Sequence, residues 1–134
     1  MTHTHLLNPA LIGAALALAV AQPAAAVDDA NFRFDSTMDL FSVCSTPESA
    51  SEYAVAYQAC RAFIEASIQY HDEISNRKNL KRLICYPSTA TIEDGQQAFV
   101  AWAKGQAGNQ KLMAEQPVVG VVRSLAAKYP CKKG

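Results

Sequence analysis

The four cysteines are the residues of this sequence that most clearly could take part in covalent or metal chemistry. Cys44, Cys60, Cys85 and Cys131 form no Cys-x-x-Cys motif, and none is closely paired with a histidine. This spacing gives little support to zinc binding or to thioredoxin-like redox chemistry. In a small exported chain, an even number of cysteines instead indicates a disulfide framework. We therefore expect two intrachain disulfides.

The other candidates for chemistry are a histidine and pairs of carboxylates. His71, Asp72 and Glu73 are consecutive, but they fall at the polar C-terminal end of a predicted helix, where we expect them to face solvent. Glu93 and Asp94 stand at a predicted helix N-terminus, where negative charge is favourable without catalysis. The sequence has no phosphate-binding loop, no Gly-x-Ser-x-Gly elbow and no metal-ligand motif. We predict a binding or structural protein rather than an enzyme, with no cofactor and no metal.

The N-terminal segment is predicted to direct export. Residues 1–26 contain no Lys, Arg, Asp or Glu. Their apolar run from Ala10 to Ala21 is too short to span a bilayer core of about 30 Å. Ala24 and Ala26 supply the small side chains of a signal peptidase site. The sequence therefore predicts a cleaved signal peptide over residues 1–26, and one domain without a membrane segment over residues 27–134.

Charge is balanced overall but unevenly distributed. The chain has twelve acidic and twelve basic residues. Residues 27–73 hold nine acids and two bases, whereas residues 74–134 hold three acids and ten bases. The simplest interpretation is that the two halves pack together with complementary charge. Net neutrality and the absence of interleaved aromatic and basic residues argue against a nucleic-acid partner.

Apolar periodicity and capping motifs predict four helices. Their approximate ranges in chain order are Thr37 to Val43, Pro47 to Glu73, Thr91 to Lys104, and a last helix that begins between Lys111 and Pro117 and ends by Tyr129. The second helix has no internal Gly or Pro and carries an apolar stripe that includes Cys60, so Cys60 should face the core. Gly105 to Gln110 is predicted to be a flexible loop. The fold class is therefore a small all-α, four-helix domain with two disulfides.

Four cysteines allow three disulfide pairings, and the predicted helices favour Cys44–Cys131 with Cys60–Cys85. A second helix that begins at Pro47 places Cys60 roughly 20 Å along its axis. A disulfide needs Cα atoms within about 7 Å. The connector after the second helix can instead fold back and bring Cys85 beside Cys60. The alternative, Cys44–Cys60 with Cys85–Cys131, requires the first helix to double back over the second.

Several short motifs occur in a characteristic order between Asp39 and Cys131. They are Leu40 with Cys44, Cys60-Arg61-Ala62-Phe63-Ile64, Ile84-Cys85-Tyr86-Pro87, Gly95-Gln96, Ser124-Leu125 and Tyr129-Pro130-Cys131. In this order they resemble the Rap/Tai family of immunity proteins, although Ala62 and Ala66 stand where that family often has Gly. The resemblance implies a small periplasmic α-helical homodimer that binds and inhibits a peptidoglycan amidase toxin of the type VI secretion system.

An inhibitor of this kind needs an exposed segment to contact its target, and two connectors are candidates. They are Ser75 to Arg82 and Gly105 to Gln116, and we favour the second because it is Gly-rich and joins two helices. The predicted contact residues are Gly105, Gln106, Gly108, Asn109, Gln110 and Lys111. The alternative function is a general periplasmic stress or chaperone-like envelope protein without a dedicated toxin partner.

Overall fold

The computed structural model describes residues 27–132, and this part of the chain is mostly helical. A short 3-10 turn, Asn31–Arg33, precedes five α-helices. The helices are α1 (Thr37–Cys44), α2 (Tyr53–Arg77), α3 (Ile92–Gln106), α4 (Gln110–Met113) and α5 (Pro117–Lys128). The predicted all-α fold with two disulfides is confirmed, with the one-turn α4 as an additional element. The predicted signal peptide lies outside the described residues.

Two helices begin at the capping motifs that were recognised in the sequence. The Ser36 hydroxyl accepts a hydrogen bond from the Asp39 N–H, and the Asp39 carboxylate accepts one from the Ser36 N–H. Thr91 and Asp94 make the same reciprocal pair at the start of α3. Each motif satisfies backbone N–H groups that have no partner within the helix, which fixes the first residue of α1 and α3.

Helix α2 begins six residues later than its predicted start at Pro47. Two successive turns occupy the preceding segment, closed by hydrogen bonds from the Ala50 N–H to the Pro47 carbonyl and from the Tyr53 N–H to the Ala50 carbonyl. Serines at positions 49 and 51 suit such turns because their hydroxyls compete with helical hydrogen bonding. Thr46 and Pro47 therefore lie in a loop.

This later start explains the first disulfide, Cys44–Cys60, and corrects the predicted pairing of Cys44 with Cys131 and of Cys60 with Cys85. With α2 beginning at Tyr53, Cys60 lies about 10 Å from its start instead of 20 Å. The loop between α1 and α2 reverses the chain, so α1 packs against this part of α2. The Cα atoms of Cys44 and Cys60 are 5.1 Å apart.

The second disulfide, Cys85–Cys131, joins the connector after α2 to the C-terminal segment. Ile84 and Pro130 form an isolated antiparallel bridge, and the Cys85 N–H donates a hydrogen bond to the Tyr129 carbonyl at 2.9 Å. This short extended pairing brings the Cα atoms of Cys85 and Cys131 to 5.0 Å. The structure therefore has the alternative pairing, in which the first helix doubles back.

The hydrophobic core forms where α1, α2, α3 and α5 meet, with one side chain from α4. The buried side chains include Leu40, Val43, Ala56, Cys60, Ile64, Phe99, Ala103, Met113, Val121 and Leu125. The predicted apolar stripe of α2 is confirmed, since Ala56, Cys60 and Ile64 are fully buried. None of the helices within residues 27–132 has the length and apolar character needed to cross a membrane.

Helices α2 and α5 are antiparallel where they pack. Ile74, near the C-terminal end of α2, borders the same groove as Val118 in the first turn of α5. Ile68, nearly two turns earlier in α2, lines a different cavity together with Leu125 in the last turns of α5. The C-terminal end of α2 therefore lies beside the N-terminal end of α5.

Helix α3 also runs antiparallel to α5. Gly95, in the first turn of α3, lies against Leu125, and Phe99, one turn later, lies against Gly120. The C-terminal end of α3 therefore lies at the same end of the bundle as the start of α5. As a result, both connectors that were predicted to be exposed flank the N-terminal end of α5: residues 105–116 precede it directly, and Leu80 and Lys81 of residues 75–82 border the same groove as Val118.

Candidate protein-binding surface

Exposed apolar side chains cluster at this end of the bundle. Six large hydrophobic residues within residues 27–132 are exposed, and four of them, Tyr70, Leu80, Leu83 and Val118, border one groove of about 250 Å³. We call it the α2–α5 groove. Tyr70 is 68% exposed and Leu83 is 55% exposed. A concentration of apolar side chains around one depression marks an interaction site, whereas scattered exposed apolar residues do not.

The connector after α2 is fixed by polar contacts although it has no regular secondary structure. Asp72 accepts hydrogen bonds from Arg82 Nη2 at 2.6 Å and from the Tyr86 hydroxyl. The Leu83 N–H donates to His71 Nε2 at 3.2 Å, and His71 Nδ1 lies 2.9 Å from Asp72 Oδ1. We call these four side chains, His71, Asp72, Arg82 and Tyr86, the polar clamp. They hold Leu83 at the rim of the groove.

The prediction that His71 faces solvent is wrong, because its side chain is only 8% exposed. The connector folds back over the end of α2 and covers it. Since Nε2 accepts from the Leu83 N–H, the ring proton lies on Nδ1 and is donated to Asp72. Both ring nitrogens are therefore engaged in positioning the connector, which leaves neither free to act as a general base.

Asp72 is the charged centre of the polar clamp. Burial raises the pKa of its carboxyl, but hydrogen bonds from Tyr86 and His71 and the positive charge of Arg82 outweigh this effect, so the pKa of Asp72 is lowered overall. The pKa of Tyr86 is raised, chiefly because its hydroxyl donates to Asp72. At neutral pH the clamp is thus an ionised carboxylate with three donors, an arrangement stronger than neutral hydrogen bonds.

The second connector is more ordered than predicted. Helix α3 extends to Gln106, and α4 begins at Gln110, so the turn between them contains only residues 107–109. The Asn109 side chain caps α4 by accepting from the Leu112 N–H, and the side chain of Met113 is buried in the core. The loop predicted over Gly105 to Gln110 is therefore shorter than expected, because Gly105, Gln106 and Gln110 are helical.

The predicted contact residues in this connector are nevertheless accessible. Those that are exposed are Gly105, Gly108, Asn109, Gln110 and Lys111, whereas Gln106 is half-buried. The far end of the connector is anchored to α1. The Thr37 N–H donates to the Glu115 carbonyl at 2.8 Å, and its hydroxyl lies within hydrogen-bonding distance of the carbonyls of Glu115 and Gln116. Both connectors at this end are thus held in defined positions.

Some residues of this surface were not predicted. Leu80 falls within the connector that the sequence indicated, but Tyr70, Leu83 and Val118 were not singled out. Tyr70 lies off the apolar stripe of α2, and such an unpaired aromatic residue near a helix end is the signal that could have identified it. Within the described part of the chain, no three His, Cys, Asp or Glu side chains are arranged to hold a metal ion.

These features define the class of the protein: a small helical domain, cross-linked by two disulfides, that presents an apolar groove bordered by an ordered connector. The family model for Rap1a immunity proteins matches residues 36–131, from the N-cap of α1 to the second cysteine of the Cys85–Cys131 disulfide. The chain belongs to this family of immunity proteins, which confirms the resemblance noted in the sequence. No curated protein and no solved structure matches the chain.

Proposed function

We propose that this protein is a periplasmic immunity protein that binds and inhibits a peptidoglycan amidase toxin of the type VI secretion system. Family membership supports the immunity function. The observation that supports the binding mode is that two ordered, exposed connectors flank the N-terminal end of α5. A binding surface that is already ordered loses little conformational entropy when it binds, which favours a tight stoichiometric inhibitor.

The connector between α3 and α5 contacts the amidase in this proposal. Gly108 is the most informative position in it. An added Cβ would have no neighbour within 4 Å, and the φ of Gly108 is not positive, so a side chain can be placed there without strain. A Gly108→Trp variant should therefore fold normally while it obstructs a partner that approaches this turn.

The test measures cleavage of purified peptidoglycan by each amidase effector encoded in the same genome, with increasing amounts of this protein. Wild type should abolish one activity at equimolar ratio, and Gly108→Trp should weaken this inhibition by at least about tenfold, since about 1.4 kcal/mol of lost contact is tenfold in affinity. Ala62→Trp, at an exposed position within α2, is the matched control and should inhibit like wild type.

Three outcomes separate the parts of this proposal. Failure of wild type to inhibit any of the amidases would refute the toxin assignment. Together with suppressed aggregation of unrelated proteins, it would favour a general chaperone-like envelope protein. Full inhibition by Gly108→Trp would keep the immunity function but exclude this connector as the contact.

We also propose that the protein is exported and forms a homodimer, as the family resemblance implies. Export predicts that the periplasmic form begins near Val27, which N-terminal sequencing of the purified protein tests. The homodimer predicts a mass of twice the mature chain by light scattering coupled to size-exclusion chromatography. A monomeric mass at micromolar concentration would exclude a stable dimer.

A further inference from the structure

Four lysine side chains without carboxylate partners among the described residues lie in the two connectors or directly next to them. Lys78 and Lys81 follow α2, and Lys104 and Lys111 flank the turn between α3 and α4. All four are exposed, and none belongs to an ion pair between described residues. Lys81 also lines the α2–α5 groove, which has no carboxylate in its lining.

The acidic residues in or next to these connectors are already engaged. Asp72 is held by Arg82 within the polar clamp, and Glu73 pairs with Arg77 one turn along α2. Glu115, in the connector before α5, pairs with a base of α5 at 3.3 Å. The expected pairing of the acidic first half with the basic second half therefore neutralises Arg77 and Arg82 but leaves the four lysines uncompensated.

We infer that the toxin segment that occupies the α2–α5 groove carries an apolar side chain flanked by carboxylates. The groove is apolar at Tyr70, Leu80, Leu83 and Val118 and cationic at Lys81, and its rim is fixed by the polar clamp. A complementary partner presents an apolar group to the first set and negative charge to the lysines. This inference rests on the proposed function, because it names the chemistry of the toxin surface.

The two components of this surface should act on different rate constants. The lysines are exposed and remain hydrated, so they accelerate encounter with an acidic surface and are screened by salt. The apolar side chains lose water only when the complex has formed, so they govern its lifetime. The inference therefore predicts a salt-dependent association rate and a dissociation rate that is sensitive to the groove.

The charge component is tested with the amidase effector that wild type inhibits, by measuring binding kinetics at low and high NaCl concentration. Lys78→Glu/Lys81→Glu should slow association at low salt by about tenfold or more and flatten its salt dependence, with little change in dissociation. Lys128→Glu is the matched control. Lys128 is another exposed lysine without an ion pair among the described residues, and it borders a different depression, between α3 and α5. This control should associate like wild type.

The apolar component is tested with Leu83→Asp, which should accelerate dissociation by about tenfold to a hundredfold, the range expected for losing one buried apolar side chain. Val55→Asp is the matched control, because Val55 is 64% exposed on the first turn of α2, at the other end of that helix. Circular dichroism should show that all variants keep the helical content of wild type.

Each of the remaining outcomes would contradict this inference in a different way. Wild-type kinetics for both groove variants, with inhibition intact, would refute the acidic–apolar contact while the proposed function stands. Loss of dimer mass by Leu83→Asp with unchanged toxin binding would assign the groove to a second copy. Sedimentation of wild type but not Lys78→Glu/Lys81→Glu with phosphatidylglycerol vesicles, with unchanged toxin kinetics, would assign it to an anionic lipid surface. If no amidase is bound by wild type, the proposed function and this inference both fail.

Discussion

Replacing Gly120 with Ala is expected to destabilise this protein, although Ala is the better helix former. Gly120 is buried in α5 and faces the first residue of α1. A Cβ at this position would lie 2.5 Å from Thr37 Cγ2, 2.9 Å from Thr37 Oγ1 and 3.3 Å from Phe99 Cε2. The first two distances are shorter than real Cβ contacts allow, so α1 and α5 would have to separate or Thr37 would have to move.

The sign of the effect follows from three contributions to the free energy of unfolding. Ala in place of Gly within a helix favours folding by about 1 kcal/mol. Overpacking of a well-filled core costs about 1–3 kcal/mol. Thr37 cannot yield freely, because its N–H and hydroxyl bond the carbonyls of Glu115 and Gln116, and loss of such a bond costs about 1 kcal/mol more. We therefore expect a net loss of about 1–3 kcal/mol.

Urea unfolding followed by circular dichroism measures this loss directly, and Gly105→Ala is the matched control. Gly105 lies in the last turn of α3, where an added Cβ meets nothing within 4 Å, so the same substitution should stabilise by about 0.5–1 kcal/mol. For a domain of this size, each kcal/mol corresponds to roughly 4 to 8 °C in the melting temperature. The two glycine substitutions should thus shift it in opposite directions.

A double-mutant cycle with Thr37→Ser tests the cause. Serine keeps the hydroxyl that bonds the two carbonyls but removes Cγ2, the atom nearest to the new methyl group. Gly120→Ala should therefore cost at least about 1 kcal/mol less in the Thr37→Ser background, within the coupling energies usual for residues in contact. An equal cost in both backgrounds, or a Gly120→Ala protein as stable as Gly105→Ala, would refute the close-contact argument.

Further predictions concern the disulfides and the polar clamp. Peptide mapping without reduction should recover Cys44 linked to Cys60 and Cys85 linked to Cys131. Replacing Cys85 and Cys131 by Ala should lower the free energy of unfolding by about 4 kcal/mol, against about 3 kcal/mol for Cys44 and Cys60, because the second disulfide closes the longer loop. Since the pKa of Asp72 is lowered on folding, its stabilisation is present above the ordinary aspartate pKa and is lost as pH falls below it. Asp72→Asn should be less stable than wild type at pH 7 and should lose less stability than wild type between about pH 5 and pH 3. Parallel plots of unfolding free energy against pH for the two proteins would contradict this. Tyr86→Phe should destabilise the protein at pH 7 by about 1.5–3 kcal/mol, measured by urea unfolding, because it removes a donor from an ionised acceptor.

The starts of α1 and α3 could be predicted because their signals are local. In each case a hydroxyl and a carboxylate three residues apart satisfy each other's backbone, so the sequence alone contains the whole interaction. The start of α2 could not be predicted in this way. Thr46 and Pro47 are equally suited to begin a helix or to lie in a loop, and the turns that follow them decide between these structures.

The error in the predicted start of α2 also caused the error in the predicted disulfide pairing. Moving the start of α2 from Pro47 to Tyr53 shortens the distance from the helix start to Cys60 by about 9 Å. This difference exceeds the whole Cα separation that a disulfide permits, so it excludes the bridge to Cys44 in one case and allows it in the other. A predicted contact between distant residues is wrong when a helix boundary is wrong, because each residue added to a helix moves the later residues by about 1.5 Å along its axis.

The sequence predicted the position of the binding surface but not its order, because position depends on local signals and order depends on long-range contacts. Sequence patterns located both exposed connectors, because polar and Gly-rich segments lie at the surface. They did not predict that the connectors are ordered. The polar clamp joins Asp72 to residues 10 and 14 positions later, and Thr37 bonds carbonyls 78 and 79 positions away. No periodic or capping signal marks contacts of this kind.

The placement of these long-range contacts bears on how the domain works. The polar clamp, the Cys85–Cys131 disulfide and the anchor from Thr37 all act on connectors, whereas the helices are held together by the apolar core and the Cys44–Cys60 disulfide. Connectors that only joined helices would need none of these contacts, because ordering an exposed loop costs conformational entropy. The polar clamp instead orders the connector that forms one rim of the α2–α5 groove. This arrangement is expected of a protein whose activity is to present a fixed surface to a partner.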